Sequence, residues 1–403
     1  MQALLDSADV VVIGAGISGI TTAFELKSRG FDVVVLEQRF PSYGASGRNA
    51  GSLWIQTCRS GTELELSRAG QRKYLDYIDE LGNTFDYRQN GGLFFFETEE
   101  QGTILEEYVS DRRALGLEIE MLDQESARRR SELVPRTAIG AVYCAEDAQL
   151  SSPKFVRAVA SASARAGVRI YENTSALSTI RNGDIVSGVR TVRGDVMAPA
   201  LVWATGAWSV SLDSEGIEIP LITARQGQLI MQATTPIPDA PIMKGPRGVA
   251  TCTAIAELPS FKYSVFEHDG VGSLTEDVRL PFSYEDMISQ SSEGVLWIGS
   301  SFDGYGSLNP HIGLAASKMM VDAAFDRYPE KVDLGIVGLW AGVASWTDDA
   351  LPVIDRVDGA YVNVGHANGI ATGPIGGQLM AETVMGETGP FHHALRSSRL
   401  PRK

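Results

Sequence analysis

The residues best suited to chemistry in this sequence sit in glycine-rich turns. In Gly14-Ala-Gly16-Ile-Ser-Gly19, which follows a β-branched run, Gly14 permits a tight turn and Gly16 lets the backbone approach a pyrophosphate. Gly19 allows the next helix to pack against the strand. Ile17 and Ser18 open that helix, whose free N–H groups and dipole favour an anion. Glu37 ends the following apolar run, 18 residues beyond Gly19. A carboxylate there suits the ribose hydroxyls of an adenosine and repels a 2′-phosphate, and Gln38 and Arg39 follow it at the same edge. FAD and NAD sites share this fingerprint, so it does not choose between them.

Three later stretches add to the first. Gly44-Ala-Ser-Gly-Arg-Asn-Ala-Gly51 is a second glycine loop, whose small residues allow close approach. Its Ser46, Arg48, Asn49, Ala50 and Gly51 can meet phosphate or ring edges. Trp203-Ala204-Thr205-Gly206-Ala-Trp208 ends a buried strand in a turn. Gly365-His-Ala-Asn368-Gly369-Ile370-Ala371-Thr372-Gly leads into a last helix. The N-terminus of that helix would stabilise negative charge on an electron-rich ring edge.

The elements that must hold these turns follow from the apolar pattern. Val10–Ile13 and Val33–Leu36 read as buried parallel strands on either side of a helix from Ile17 to Arg29. A helix is expected from about Glu63 to Leu81, a strand over Gly91–Phe96, and surface helices in the charged stretch Glu97–Arg130. Ser152 and Pro153 read as the N-cap and first residue of a helix closed by Gly167. Strands recur at Val168–Tyr171, in a hairpin across Asn182-Gly183, and at Leu201–Ala204. Pro220 to about Asp333 reads as strand and loop. A final unit is Ala360–Val364, a glycine loop, and a helix from about Pro374 to Met385. Parallel-sheet texture in three separated pieces implies one discontinuous nucleotide-binding domain, over 1–84, 151–215 and 335–403, with a substrate domain from 85–150 and 216–334.

Composition narrows the class. The chain has 403 residues, 44% of them hydrophobic, ample for a core without staples. Its net charge of −15 repels phosphate backbones, so nucleic acid is excluded as a partner. Cys58, Cys144 and Cys252 are odd in number and widely spaced, which supports neither a disulfide framework nor a metal site. No apolar stretch is long enough for a membrane span, and no signal-peptide pattern opens the chain, so a cytoplasmic setting is expected. The basic tail from Arg396 to Lys403 reads as a solvated, frayed end.

Taken in order, these motifs resemble the FAD-dependent D-amino-acid and glycine oxidase family, which includes sarcosine oxidases and flavin subunits of opine and hydroxyproline dehydrogenases. The resemblance rests on the first glycine motif with Glu37, the Gly44–Gly51 loop, the Ala-Thr-Gly-Ala-Trp strand end, and Trp340-Ala-Gly followed by Leu351-Pro-Val-Ile and Gly365-His. It spans Asp9 to about Glu382. It implies an α/β fold with a glutathione-reductase-type FAD domain and an inserted mixed-sheet α+β substrate domain. The implied reaction oxidises an amine to an imine, with hydride passing from the substrate carbon to flavin N5. The protein then orients the C–H bond and excludes water, and needs no nucleophile. The implied partners are a small amine or amino acid, with a second copy or an electron-transfer subunit as further possibilities.

The sequence departs from the family in one place. Many members carry an arginine after Trp-Ala-Gly that grips the substrate carboxylate. Here Ala344 and Ser345 stand there. Either a cation from elsewhere substitutes, with Arg225 beside Gln226-Gly-Gln228 best placed and Lys244, Arg247 and Lys262 as further candidates, or the substrate is an amine lacking that carboxylate. Covalent members use a cysteine near the last motif. None follows Cys252, so noncovalent FAD is expected. Trp54 and His366 are expected to flank the flavin. Trp208 and Trp346 are expected chiefly to fill space, Trp208 at the cofactor's edge. Asp348 and Asp349 would either attract an ammonium or shape a turn. An FAD enzyme acting on a hydroxy acid is the alternative within enzymes.

Overall fold

The computed structural model describes residues 3–266 and 282–401. Val10–Ile13, Val33–Leu36, Ala200–Trp203 and Ala360–Val364 are short apolar runs, almost wholly buried, as strands covered on both faces must be. They form the centre of a six-stranded sheet. Its order is Arg169–Tyr171, Val33–Leu36, Val10–Ile13, Ala200–Trp203, Ala360–Val364, Val353–Val357, parallel except for the last strand.

Alternation along Val10–Ile13 divides the core. Val10 and Val12 pack with Ala23 and Leu26 of the Ile17–Ser28 helix and with Ile375 and Leu379 of the Gly369–Met385 helix. Val11 and Ile13 pack with Val186, Val189 and Val196 of a four-stranded sheet on the opposite side. That sheet contains the expected hairpin, Ala176–Asn182 with Ile185–Thr191. Helices on one face and a small sheet on the other leave only the strand ends open.

The second large sheet has eight strands in the order Ile336–Trp346, Ile222–Met231, Leu296–Asp303, Phe282–Gln290, Ile242–Lys244, Gly92–Phe96, Gly140–Cys144, Ile119–Asp123. One pair, Ile242–Lys244 with Gly92–Phe96, is parallel and the rest are antiparallel. The sheet draws strands from both regions expected to form the inserted unit. It also takes Ile336–Trp346, so by sheet membership the boundary expected at 335 falls after Trp346.

Other expectations are corrected locally. The charged stretch Glu97–Arg130 holds helices Glu99–Ala114 and Gln124–Arg130, but also the strand Ile119–Asp123, a five-residue edge strand hidden between them. The strand-and-loop region contains a helix, Leu314–Arg327. Ser152 does not cap its helix; its hydroxyl donates to Ser46 O at 2.5 Å. The basic tail is docked rather than frayed. Arg399 grips Asp349 and donates to Leu351 O, and Leu400 is buried. Arg402 and Lys403 lie outside the described residues.

The last long helix begins at Gly369, five residues before Pro374, not at the proline. Proline inside a helix orphans the carbonyl four residues back, here that of Ile370. Tyr74, fully buried on the Thr62–Leu81 helix, donates its hydroxyl to Ile370 O at 2.8 Å and satisfies it. One turn earlier Gly70 makes the approach possible, since a Cβ there would lie 1.6 Å from Ala371 O. We therefore expect Tyr74→Phe to cost about 1–3 kcal/mol in urea unfolding, the cost of a buried acceptor left unpaired. Unfolding within about 0.3 kcal/mol of wild type would show that water replaces the hydroxyl.

Candidate functional site

The carboxyl ends of Val10–Ile13, Val33–Leu36, Ala200–Trp203 and Ala360–Val364 open into one cavity of about 850 Å³. Strand connections diverge there, the usual ligand crevice of a doubly wound sheet. Its floor is backbone. Gly14 has φ +104°, and a Cβ on it would lie 2.4 Å from Ala204 O. Gly19, buried behind it, packs against Gly14 and does not reach the cavity. Gly16, Ile17 and Ser18 line the wall at the helix start.

Glu37 and Gln38 line the cavity at the end of the second strand, while Arg39 is exposed outside it. Glu37 accepts Ala15 N–H and Arg39 N–H, each at 2.9 Å, so its carboxylate also braces the glycine turn. Burial pushes its pKa above the ordinary carboxylate value despite these bonds.

The Gly44–Gly51 loop folds over the first helix. Ser46 Oγ accepts Ile17 N–H at 3.0 Å. Asn49 spends its side chain inward, accepting Gly51 N–H at 2.7 Å and donating to Ala45 O and Ser46 O. Ser46, Asn49, Ala50 and Gly51 reach the cavity. Arg48 instead stacks over Tyr43, 4.5 Å from the ring centre, with one buried guanidinium nitrogen unpartnered.

Across the cavity, Ala204, Thr205, Gly206 and Trp208 form the turn after Ala200–Trp203. Trp208 and Trp346 are half-buried cavity walls rather than packing alone. Trp203 carries a buried, unpartnered indole N–H beside them. Open glycine backbone, a helix start and orphaned donors together fit the pyrophosphate and ring edges of a dinucleotide.

Gly365, His366, Asn368, Gly369 and Ile370 complete this wall, whereas Ala371 and Thr372 lie within the helix. Asn368 donates to Trp54 O at 3.0 Å, joining the helix start to the Trp54 turn. His366 has both ring nitrogens engaged, with Thr372 Oγ1 and Asn363 Oδ1, each at 2.8 Å. Asn363 Nδ2 donates to Gly376 O, so its Oδ1 accepts, and the neutral ring carries its proton on Nε2. Desolvation pushes the His366 pKa down to about 4. The ring is a brace, with no nitrogen left for proton transfer.

The opposite wall comes from the eight-stranded sheet. Alternation along Ile222–Met231 sends Gln226 and Gln228 inward and Arg225 to the other face. Arg225 there makes a bidentate pair with Asp303 and donates to His311 O. It does not line the cavity, which removes it as a substrate anchor. The same period was visible in Arg225-Gln-Gly-Gln228. Ala344 lines the cavity without charge, Lys262 is exposed, and Arg247 lies off the wall. Asp349 is spent on Arg399 and on the Leu351 N–H, while exposed Asp348 edges the cavity.

Lys244 does reach the cavity, beside residues the sequence did not single out: Glu285, Thr251, Met287 and Phe302. Its ammonium pairs with Glu285, and Thr251 Oγ1 donates to the same carboxylate at 2.9 Å. Burial, the largest single effect, would lower the Lys244 pKa, but Glu285, with Cys252 and Asp147 adding to it, raises the value. Glu63, also on the wall, is raised by burial and paired with Arg59 at 2.8 Å. Burial pushes Cys58 and Cys252 up to about 12, so neither is a thiolate nucleophile near neutral pH.

The model of the FAD-dependent oxidoreductase family matches residues 9–383. The chain belongs to that family. Among its relatives, glycine oxidase of Geobacillus kaustophilus is 25% identical over 93% of this chain and 92% of that one. The mitochondrial pyruvate dehydrogenase phosphatase regulatory subunit of Mus musculus is 31% identical over 54% of this chain, which spans only 25% of that protein. The crystal structure of glycine oxidase from Geobacillus kaustophilus superposes with a TM-score of 0.82 at 22% identity, covering 98% and 100% of the two chains. The fold is that of family members, and FAD is the family's cofactor.

Two outcomes follow for this FAD-dependent oxidoreductase. Arg225→Ala should leave substrate KM within about twofold, while urea stability falls by on the order of 2 kcal/mol because Asp303 loses its partner. A large rise in KM would return Arg225 to the site. For His366, the unfolded chain takes up a proton near pH 6.5 but the native ring only near pH 4. Stability is therefore lost through this group as pH falls from about 6.5 to 4. His366→Gln should unfold with a shallower pH dependence across that window, and an unchanged slope would contradict the neutral brace.

Proposed function

We propose that this chain binds FAD noncovalently and oxidises the C–N bond of an amine or amino acid, secondary amines included, to an imine. The observation that carries the reading is a single cavity whose two walls differ in kind. One is glycine backbone at the strand ends, and the other is the polar face of the eight-stranded sheet. The first wall suits the cofactor: Glu37 and Gln38 at the adenosine, Gly16–Ser18 at the pyrophosphate, and Ser46, Asn49–Gly51 and Gly365–Ile370 along the flavin. The second wall takes the substrate. This assigns the six-stranded sheet and its helices to cofactor binding and the eight-stranded sheet to specificity.

FAD held there would supply the two-electron acceptor for the C–N oxidation. The protein's part is orientation and exclusion of water. Trp54, Phe302, Met287 and Trp346 give the enclosed apolar surface, and Gln226 and Gln228 add amide donors and acceptors. The Cys252 thiol in the wall is held protonated by burial, and oxidation of an amine needs no nucleophile.

A second reading, a flavin-bearing subunit that passes electrons to a partner, draws on the surface. Ile336–Trp346 is an edge strand, and its Ile336, Val337 and Trp340 are exposed. Such edges are normally covered. No helix among the described residues is long and apolar enough to cross a membrane.

An anaerobic screen decides the reaction. Flavin absorbance should bleach with amino acids or N-alkyl amino acids, and an aldehyde or oxo acid should appear after imine hydrolysis. Bleaching by hydroxy acids alone would overturn amine oxidation. Reoxidation in air within seconds marks an oxidase, whereas reoxidation only with an artificial acceptor favours the subunit reading.

A further inference from the structure

Among the described residues, Lys244 is the only lysine or arginine lining the cavity. Its ammonium and the Glu285 carboxylate form an ion pair in the wall, each side chain 8% exposed. The pair is anchored from behind. Thr251 donates to Glu285, and Lys244 also donates to Gly248 O at 3.4 Å. In front, Lys244 Nζ lies 5.5 Å from the Trp54 ring centre, and Trp54 O accepts from Asn368 at the start of the last long helix. The ion pair therefore sits beside the wall assigned to the flavin.

The second carboxylate on this side, Glu63, is matched by Arg59. Asp147, buried behind Trp54, accepts from Ile55 N, Gln56 N and Gln56 Nε2 and does not face the cavity. Among the described residues the wall thus carries Lys244 and Glu285 in direct contact, with Asp147 behind Trp54 and Asp348 at the exposed rim as further carboxylates nearby.

Such a wall discriminates by net charge. A lone anion entering would meet Glu285 as well as Lys244, and a lone cation the reverse. Either leaves an ion incompletely paired in a poorly hydrated space. A zwitterion exchanges partners without that cost. We propose that Lys244 and Glu285 are the specificity determinants of this site and select a zwitterionic amino acid, Lys244 Nζ taking its carboxylate and Glu285 its ammonium. The inference rests on the amine-oxidation reading and extends it. It also gives Glu285 a proton to hold. The substrate ammonium passes one proton to the Glu285 carboxylate, the nitrogen regains its lone pair, and Glu285 returns the proton to solvent after product leaves. Hydroxy acids, anionic and without an ammonium, are disfavoured on the same ground.

The test uses three probes of similar shape that lack an oxidisable C–H bond beside nitrogen: 2-aminoisobutyrate, pivalate and tert-butylamine. Each is titrated into the FAD-loaded protein, and binding is read from the perturbed flavin spectrum. In the wild type, 2-aminoisobutyrate should bind about tenfold or more tighter than either other probe. Lys244→Met should shift the preference to tert-butylamine and Glu285→Gln to pivalate. The double variant, without either charge, should bind all three alike, and it guards against misfolding from a single unpaired ion. Flavin content checks that each variant is loaded. Equal affinities in the wild type, pivalate as its tightest probe, or preferences unmoved by the single variants would each overturn the proposal. If the probes are discriminated but no amine bleaches the flavin, the oxidation reading fails while the charge-selective site stands.

Discussion

The structure depends on one constraint: backbone must be presented at the strand ends with no side chain in the way. Gly14 and Gly51 meet it with positive φ, each beside a neighbouring carbonyl that a Cβ would strike. Backbone exposed in this way is soft, and much of the surrounding chemistry stiffens it. Glu37 ties the first turn to the second strand, Ser46 ties the second loop to the first helix, and Asn49 closes its own loop. Tyr74 repairs the helix that Pro374 would fray, and His366 and Asn368 fix its start. Residues that look like ligands in the sequence are thus partly scaffolding. Their polar atoms are spent on holding N–H groups at fixed positions.

The substrate side follows a different economy. Among the described residues the buried charges lining it enter in pairs, Lys244 with Glu285 and Glu63 with Arg59. The cysteines nearby are held as thiols by burial. A wall of this sort contributes orientation and electrostatic selection, leaving bond-breaking to a redox cofactor. No cation stands at Ala344; the lysine that lines the cavity, Lys244, lies in the same sheet with three strands between, and Glu285 is beside it.

Local pattern made the nucleotide-binding half legible. Short β-branched runs, glycine turns and an acid at the second strand end are all set by neighbours in sequence, so the turns that line the cavity at Gly14, Gly16–Ser18, Glu37 and 365–370 stood out there. The substrate wall is built by pairing across long separations, and spacing does not announce it. Lys244 meets Glu285 through adjacent strands 41 residues apart. Tyr74 meets Ile370 across 296. Arg225 is a different failure, because strand alternation around Gln226 and Gln228 already placed it on the far face. The strand Ile119–Asp123 is only five residues long and sits at a sheet edge between charged helices, so its short apolar run did not stand out.

On the proposed reading, backbone and shape, without a covalent link, hold FAD in this crevice. The most direct test is acid precipitation of the FAD-saturated protein, with chromatography of the supernatant. The flavin should leave the chain as intact FAD, close to one per chain. Flavin retained on the precipitated polypeptide, or a chain that takes up no FAD, would contradict it.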